Sequence, residues 1–248
     1  HEHTPQIHLT GHTEKGTFQT LFPRPRIDGP PPPAGCVPFS AQNHAEPARF
    51  CAEFQNQEQR VEELRDFASR RYAVFSLAQA EACGVSEHAV RRAVRRGPCL
   101  RLHAGVFAFA GSPPSWEQSL LAACLAAGEG AVASHRSAAR IWKLLEPTND
   151  IVEITVPRKH GARPTNVAVH RLADLDSDHT TVRHQLPVTN PLRTIVDLAA
   201  VLPADEVEDA IDAGLAWPSL FSIPAIEAMR DRLARRGRAG TGVLSAIL

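Results

Sequence analysis

For its first sixty residues the chain shows no sustained spacing of apolar positions, neither the alternation of a strand nor the return of a helix. Nine of its twenty prolines fall there, including the run Pro30, Pro31, Pro32, Pro33. Such a stretch buries too little apolar surface to offset the entropy of ordering it. Residues 1–60 are therefore expected to be disordered or a loose linker. Periodicity begins at Val61. In VEELRDFASRR, residues Val61, Leu64, Phe67 and Ala68 recur at helical spacing and predict an amphipathic helix. YAVFS predicts a short extended piece. Ser76 then caps LAQAEACG, a helix ending at Gly84. After a tight turn, Ser86 caps a helix over residues 87–96 that Gly97 ends. In LRLHAGVFAFA, Leu100 and Leu102 alternate with Arg101, a turn falls at His103, Ala104 and Gly105, and residues 106–109 return as a β-hairpin.

The second half alternates differently. SWEQSLLAACLAAGEG predicts a helix capped by Ser115, and SHRSAARIWKLL another capped by Ser134, with Ala138, Ile141, Trp142 and Leu145 facing inward. EITVP and NVAVHRL read as strands, and HTTVRHQLPVT as a third strand broken at Pro187. Asn190 and Pro191 open a helix continued by LRTIVDLAAVL, in which Arg193 and Asp197 form a surface or inter-element ion pair. ADEVEDAIDAGLA, IPAIEAMRDRLARRG and GTGVLSAIL read as further helices. The fold class predicted is α+β, with an N-terminal winged helix-turn-helix followed by an α+β domain of helices around a small sheet. The boundaries expected are 61–112 for the first, 113–236 for the second, and 237–248 for a C-terminal helix or linker.

Charge adds a local signal where the total is silent. Lys plus Arg and Asp plus Glu number 27 each. Yet from Ser86 to His103 there are five arginines against one glutamate. On a helical projection of residues 87–96, Ala89, Val90, Ala93 and Val94 make one stripe. His88, Arg91, Arg92, Arg95 and Arg96 occupy the other side. Arg91/Arg95 and Arg92/Arg96 are like-charge pairs at i, i+4, each destabilising a free helix by ~0.2–0.5 kcal/mol. A polyanion would relieve that cost. Guanidinium groups bond phosphate bidentately and also reach guanine edges in a major groove. The residues expected to bind DNA are Ser86, His88, Arg91, Arg92, Arg95 and Arg96 on the helix and Arg101 and His103 on the wing. A solvated arginine-rich face is the competing reading.

Other chemistry finds less support. Five cysteines lack any C-x-x-C pair, which favours reduced thiols in a cytoplasmic protein and gives no zinc pattern. Cys99 and Cys124 read as buried and inert. His1, His3, His8 and His12 read as solvated histidines, because no cysteine or carboxylate completes a ligand set. Asp150, Glu153 and Lys159 lack the spacing of a metal-dependent nuclease, and Glu153 reads as an exposed strand residue. Ser134, His135, Arg136 and Ser137 read as a helix start with a first-turn histidine, or else as an anion site at a helix N-terminus. No catalytic residue, metal or cofactor is expected. No apolar run nears the ~20 residues needed to span a membrane, and the first sixty residues lack an apolar h-region behind a basic start, so no signal peptide is expected.

Residues from about 64 to 240 resemble the AbiEi family of antitoxins and transcriptional regulators, in the form common in high-GC actinobacteria. The resemblance is carried by GVSEHAVRRAVRRG, LRLHAGVFAFAGSPPSWEQSLLAACLAAG, AVASHRSAARIWKLL, EITVPR and PVTNPLRTIVDLAAVLP. It implies a winged-helix domain that binds double-stranded DNA at the promoter of its own operon. It also implies a C-terminal domain that neutralises a nucleotidyltransferase-like toxin without a tight complex, a type IV toxin–antitoxin arrangement. Similar proteins carry, after a segment like LARRGRAGTGVLSAIL, a domain resembling Vsr-type endonucleases. The chain begins at His and stops at Leu248, so truncation before such a domain is expected. The alternative is then a non-catalytic targeting part of a fused endonuclease.

Overall fold

A computed structural model describes residues 45–157, 164–216, 219–234 and 239–248, with side chains from residue 56 onward. Most of the segment expected to be disordered lies outside the described residues. Its last part corrects the expectation, because helix α1 spans Ala45–Ser69. Residues 56–60 are exposed on every side, so no apolar period marks them. Their Gln, Glu and Arg side chains lose little freedom in a helix, and the turn anchored by buried Leu64 and Ala68 lets the helix extend backward.

A three-stranded antiparallel sheet follows α1, built from β1 (Val74–Ser76), β2 (Cys99–His103) and β3 (Val106–Phe109) in the order β1-β3-β2. Helices α2 (Leu77–Ala82) and α3 (Glu87–Arg96) lie between β1 and β2 in the chain. Ser76 closes a full capping box with Gln79, two backbone donors being satisfied reciprocally. The small core gathers Leu64, Ala68, Phe75, Ala80, Val85, Val90, Cys99 and Phe107. The hairpin departs from simple alternation. Its register shifts between Arg101 and His103, leaving Leu100 52% exposed while Leu102 turns toward a second core.

That second core is shared. Val74 and Val106 of the small sheet pack with Leu120 and Leu121 of α4 (Trp116–Ala127) and with Ile154 and Val156 of a second sheet. The second sheet contains β4 (Val132–Ala133), β5 (Val152–Pro157), β6 (Val167–Leu172), β7 (Thr180–Arg183) and β8 (Leu186–Thr189), ordered β6-β5-β4-β8-β7. The stretch HTTVRHQLPVT is two strands rather than one broken at Pro187. The chain reverses at His184 and Gln185, both at positive φ, and Pro187 sits within β8 opposite Val182. β4, at the centre of the sheet, is two residues long and left no periodic trace.

Helix α5 (His135–Trp142) joins this core to a third. Its Ala138 and Ile141 face the sheet. Ala139 packs with α6 (Pro191–Leu198), α7 (Ala204–Leu215), α8 (Ile223–Leu233) and α9 (Thr241–Ile247), through residues such as Ile195, Ile211, Ile226 and Leu244. Asn190 caps α6, its Oδ1 accepting from the Arg193 N–H at 2.8 Å, with Pro191 at the first turn as expected. Arg193 and Asp197 do pair along α6, but not at the surface: their side chains are 0% and 2% exposed. Arg193 also donates to the Asp174 carbonyl at 2.8 Å, so a buried charge is satisfied by several acceptors. The described residues thus form an α+β arrangement of helices around two small sheets.

Candidate nucleic-acid interface

Helix α3 is fixed at both ends by its sequence. Ser86 Oγ accepts from the Ala89 N–H at 3.3 Å, and Gly97 ends the helix at φ 96, a conformation costly for a residue with a Cβ. Val90 is 3% exposed and pins one face to the small core, with Ala89, Ala93 and Val94 half-buried around it. The rotation is then set. His88, Arg91, Arg95 and Arg96 are exposed and Arg92 is half-buried.

Arg91 pairs with Glu87 one turn earlier, both side chains remaining largely in solvent. No carboxylate pairs with Arg92, Arg95 or Arg96 among the described residues. An exposed i, i+4 pair is worth only about 0.3–0.5 kcal/mol, so Arg91 can exchange Glu87 for another anion at small cost. Arg101 is exposed on β2 and its Nε donates to the His103 carbonyl at 3.3 Å. His103 is half-buried, and burial lowers the pKa of its imidazole. Ser86 is exposed, but its hydroxyl oxygen is engaged as the cap. The structure therefore brings the four helix arginines and His88 onto one small surface, while His103 turns partly inward.

A different cluster lies where α5 meets the second sheet, and the sequence reading of it needs correction. Glu153 is not an exposed strand residue; it is 6% exposed, because β5 is buried along nearly its whole length. Parallel pairing with β6 sets Glu153 opposite Ala168 and Thr155 opposite His170, so period 2 puts Glu153, Thr155 and His170 on one face. Arg136 bonds Glu153 Oε1 at 3.1 Å, and its backbone N–H reaches Oε2 at 3.4 Å. The Glu153 N–H donates to Ser137 Oγ at 2.8 Å. Ser134 occupies the N-cap position of α5 without capping it. Its hydroxyl instead accepts from Thr155 Oγ1 at 2.8 Å and meets His135 Nδ1 at 2.9 Å. His135 itself has φ 49, an unfavourable backbone for a residue with a Cβ, and its ring stacks on that of His170 at 3.6 Å.

Electrostatics follow from this burial. Desolvation, helped by the charges of His170, Arg193 and Arg136 against that of Glu153, pushes the His135 imidazole down to about 3. For Glu153 burial acts to raise the carboxyl, but contacts with His170 and Arg136 outweigh it and hold the pKa below its ordinary value. Burial pushes the thiols of Cys99 and Cys124 up to about 11 and 12, in keeping with inert cysteines. Asp150 stands apart from Glu153 in a surface pair with Arg140 at 3.0 Å. Lys159 lies outside the described residues, as do the N-terminal histidines.

Residues 62–110 match the model of a family described as "Transcriptional regulator, AbiEi antitoxin". The matched span begins inside α1 and runs just past β3, so it holds α3 and the hairpin; for this segment the resemblance seen in the sequence is shown. Among solved structures, the chain is similar to the crystal structure of RV2827C protein from Mycobacterium tuberculosis. The two are 17% identical, over 73% of this chain and 77% of that one, with a TM-score of 0.46. No curated protein matches the chain.

Proposed function

We propose that residues 61–112 form a winged helix-turn-helix that binds double-stranded DNA, with α3 as the recognition helix and the β2–β3 hairpin as the wing. The protein is then a non-enzymatic cytoplasmic transcriptional regulator, acting on its own promoter as the antitoxin of a type IV toxin–antitoxin system. The carrying observation is the outward cationic face of α3, whose rotation Val90 fixes. The family match over the same residues supports regulation and antitoxin function as one reading. In this reading Arg91, Arg92, Arg95 and Arg96 take phosphates and guanine edges, while Ser86 orders the helix start. His88 and Arg101 flank the contact, and His103 positions the wing. None of the described helices is long and apolar enough to cross a membrane.

The test is a salt titration on promoter DNA. Replacing Arg91, Arg92, Arg95 and Arg96 together with alanine reduces the slope of log K against log salt by roughly 0.9 for each phosphate that is no longer neutralised. An unchanged slope contradicts the interface. The same variant separates the two roles in a host carrying a nucleotidyltransferase-like toxin, where promoter repression is lost and neutralisation is retained if the α+β part acts on its own.

A further inference from the structure

We propose that His135, Glu153 and His170 form a binding site for a divalent cation of borderline softness, Zn2+ or its spectroscopic substitute Co2+. Three observations converge. The first is donor chemistry. Two imidazoles and a carboxylate bring one ligand atom each within 4.8 Å of one another, a His2Glu set that suits zinc and leaves a coordination position for solvent. The second is a loosely held nitrogen. His170 Nε2 is buried and makes no close hydrogen bond, its acceptor Glu153 Oε2 standing 3.5 Å away. The third is backbone strain. His135 adopts its left-handed φ of 49 while 4% exposed, and this conformation holds its ring beside that of His170, the centroids 3.6 Å apart.

The surrounding bonds fit a ligand role. With Nδ1 donating to Ser134 Oγ, His135 keeps the lone pair of Nε2, and the serine, itself bonded by Thr155, fixes the ring. The Arg136 guanidinium takes Oε1 of Glu153, while Oε2, reached only by the long 3.4 Å contact from the Arg136 backbone N–H, lies on the His170 side. The imidazole planes are 18° from parallel, so both nitrogens can face one ion only if a ring swings out of the stack. His170, whose side chain is 29% exposed, is the ring with room to do so. Arg136 already offsets the glutamate charge, which sets an affinity well short of a structural zinc finger's. A bound ion would tie the start of α5 to strands β5 and β6.

The experiment uses the full chain with His1, His3, His8 and His12 replaced by alanine, since those residues would bind metal themselves, after EDTA treatment. Titration with Co2+ is expected to give visible d–d absorption saturating at one equivalent and displaced by Zn2+. Zn2+ should also raise the melting temperature with concentration. His170→Ala and Glu153→Gln abolish the absorption. If either variant fails to fold, paramagnetic broadening of the His135 and His170 ring protons in the parent chain decides the same point. Absence of saturable absorption at millimolar Co2+ overturns the site. So does one-equivalent binding that both variants retain, or that leaves those ring protons sharp.

Discussion

His135 shows how much one side chain's surroundings can change its chemistry. In an unfolded chain its imidazole titrates near 6.5, whereas the folded environment lowers it to about 3. Between those values the unfolded chain binds a proton that the folded chain does not, so stability must fall as pH drops through that window. At about 1.36 kcal/mol per pH unit, the metal-free protein should lose roughly 2–3 kcal/mol between pH 7 and 4.5 from this residue. Glu153 acts in the same direction at lower pH, since its carboxyl is held below the ordinary range and its contribution is lost as pH falls through that depressed value. Urea denaturation in EDTA at the two pH values checks the first effect. His135→Gln should flatten the dependence, and an equally steep decline in that variant would contradict it.

At the scale of an element, α3 depends on its ends. Gly97 has nothing within 4 Å of where a Cβ would sit, so Gly97→Ala meets no clash. Its cost comes from the backbone alone, about 1–2 kcal/mol for a left-handed residue that gains a Cβ. Ser86→Ala removes the cap to the Ala89 N–H and should cost about 1 kcal/mol. Both changes should lower the urea midpoint while leaving the salt slope of DNA binding close to that of the parent chain, because neither removes a cation. A reduction in slope equal to that of the arginine variant would mean that the loops, and not α3, hold the phosphates.

Over the whole molecule, the two sheets share one interior. Val74 and Val106 of the small sheet belong to the same buried cluster as Leu121 and Ile154. The Tyr72 hydroxyl donates to the His184 carbonyl at 2.8 Å, and Gln118 Nε2 donates to the Tyr72 carbonyl at 2.8 Å. Elements that bury each other's apolar surface cannot unfold separately without exposing it. Tryptophan fluorescence and far-ultraviolet circular dichroism should therefore report one coincident transition in urea. Leu121→Ala should shift both signals together by about 2–5 kcal/mol. Two separated transitions would contradict the shared core.

The sequence by itself determined what depends on neighbours along the chain. The caps at Ser76, Ser86, Ser115 and Asn190, the stop at Gly97 and the segregation of arginines on α3 are all settled within one or two helical turns. Periodicity and capping chemistry placed those features. Tertiary structure decided what depends on partners far away. A two-residue strand such as β4 has no period to read, and residues 56–60 of α1 are exposed and show no buried face to mark them. Glu153 and Thr155 alternate with apolar residues as in a half-exposed strand, but the start of α5 and strand β6 close over them. Arg193 and Asp197 have the spacing of a surface pair and were buried by what packs around α6. The convergence of His135, Glu153 and His170 joins residues up to 35 positions apart through a parallel register, and no local pattern encodes a register.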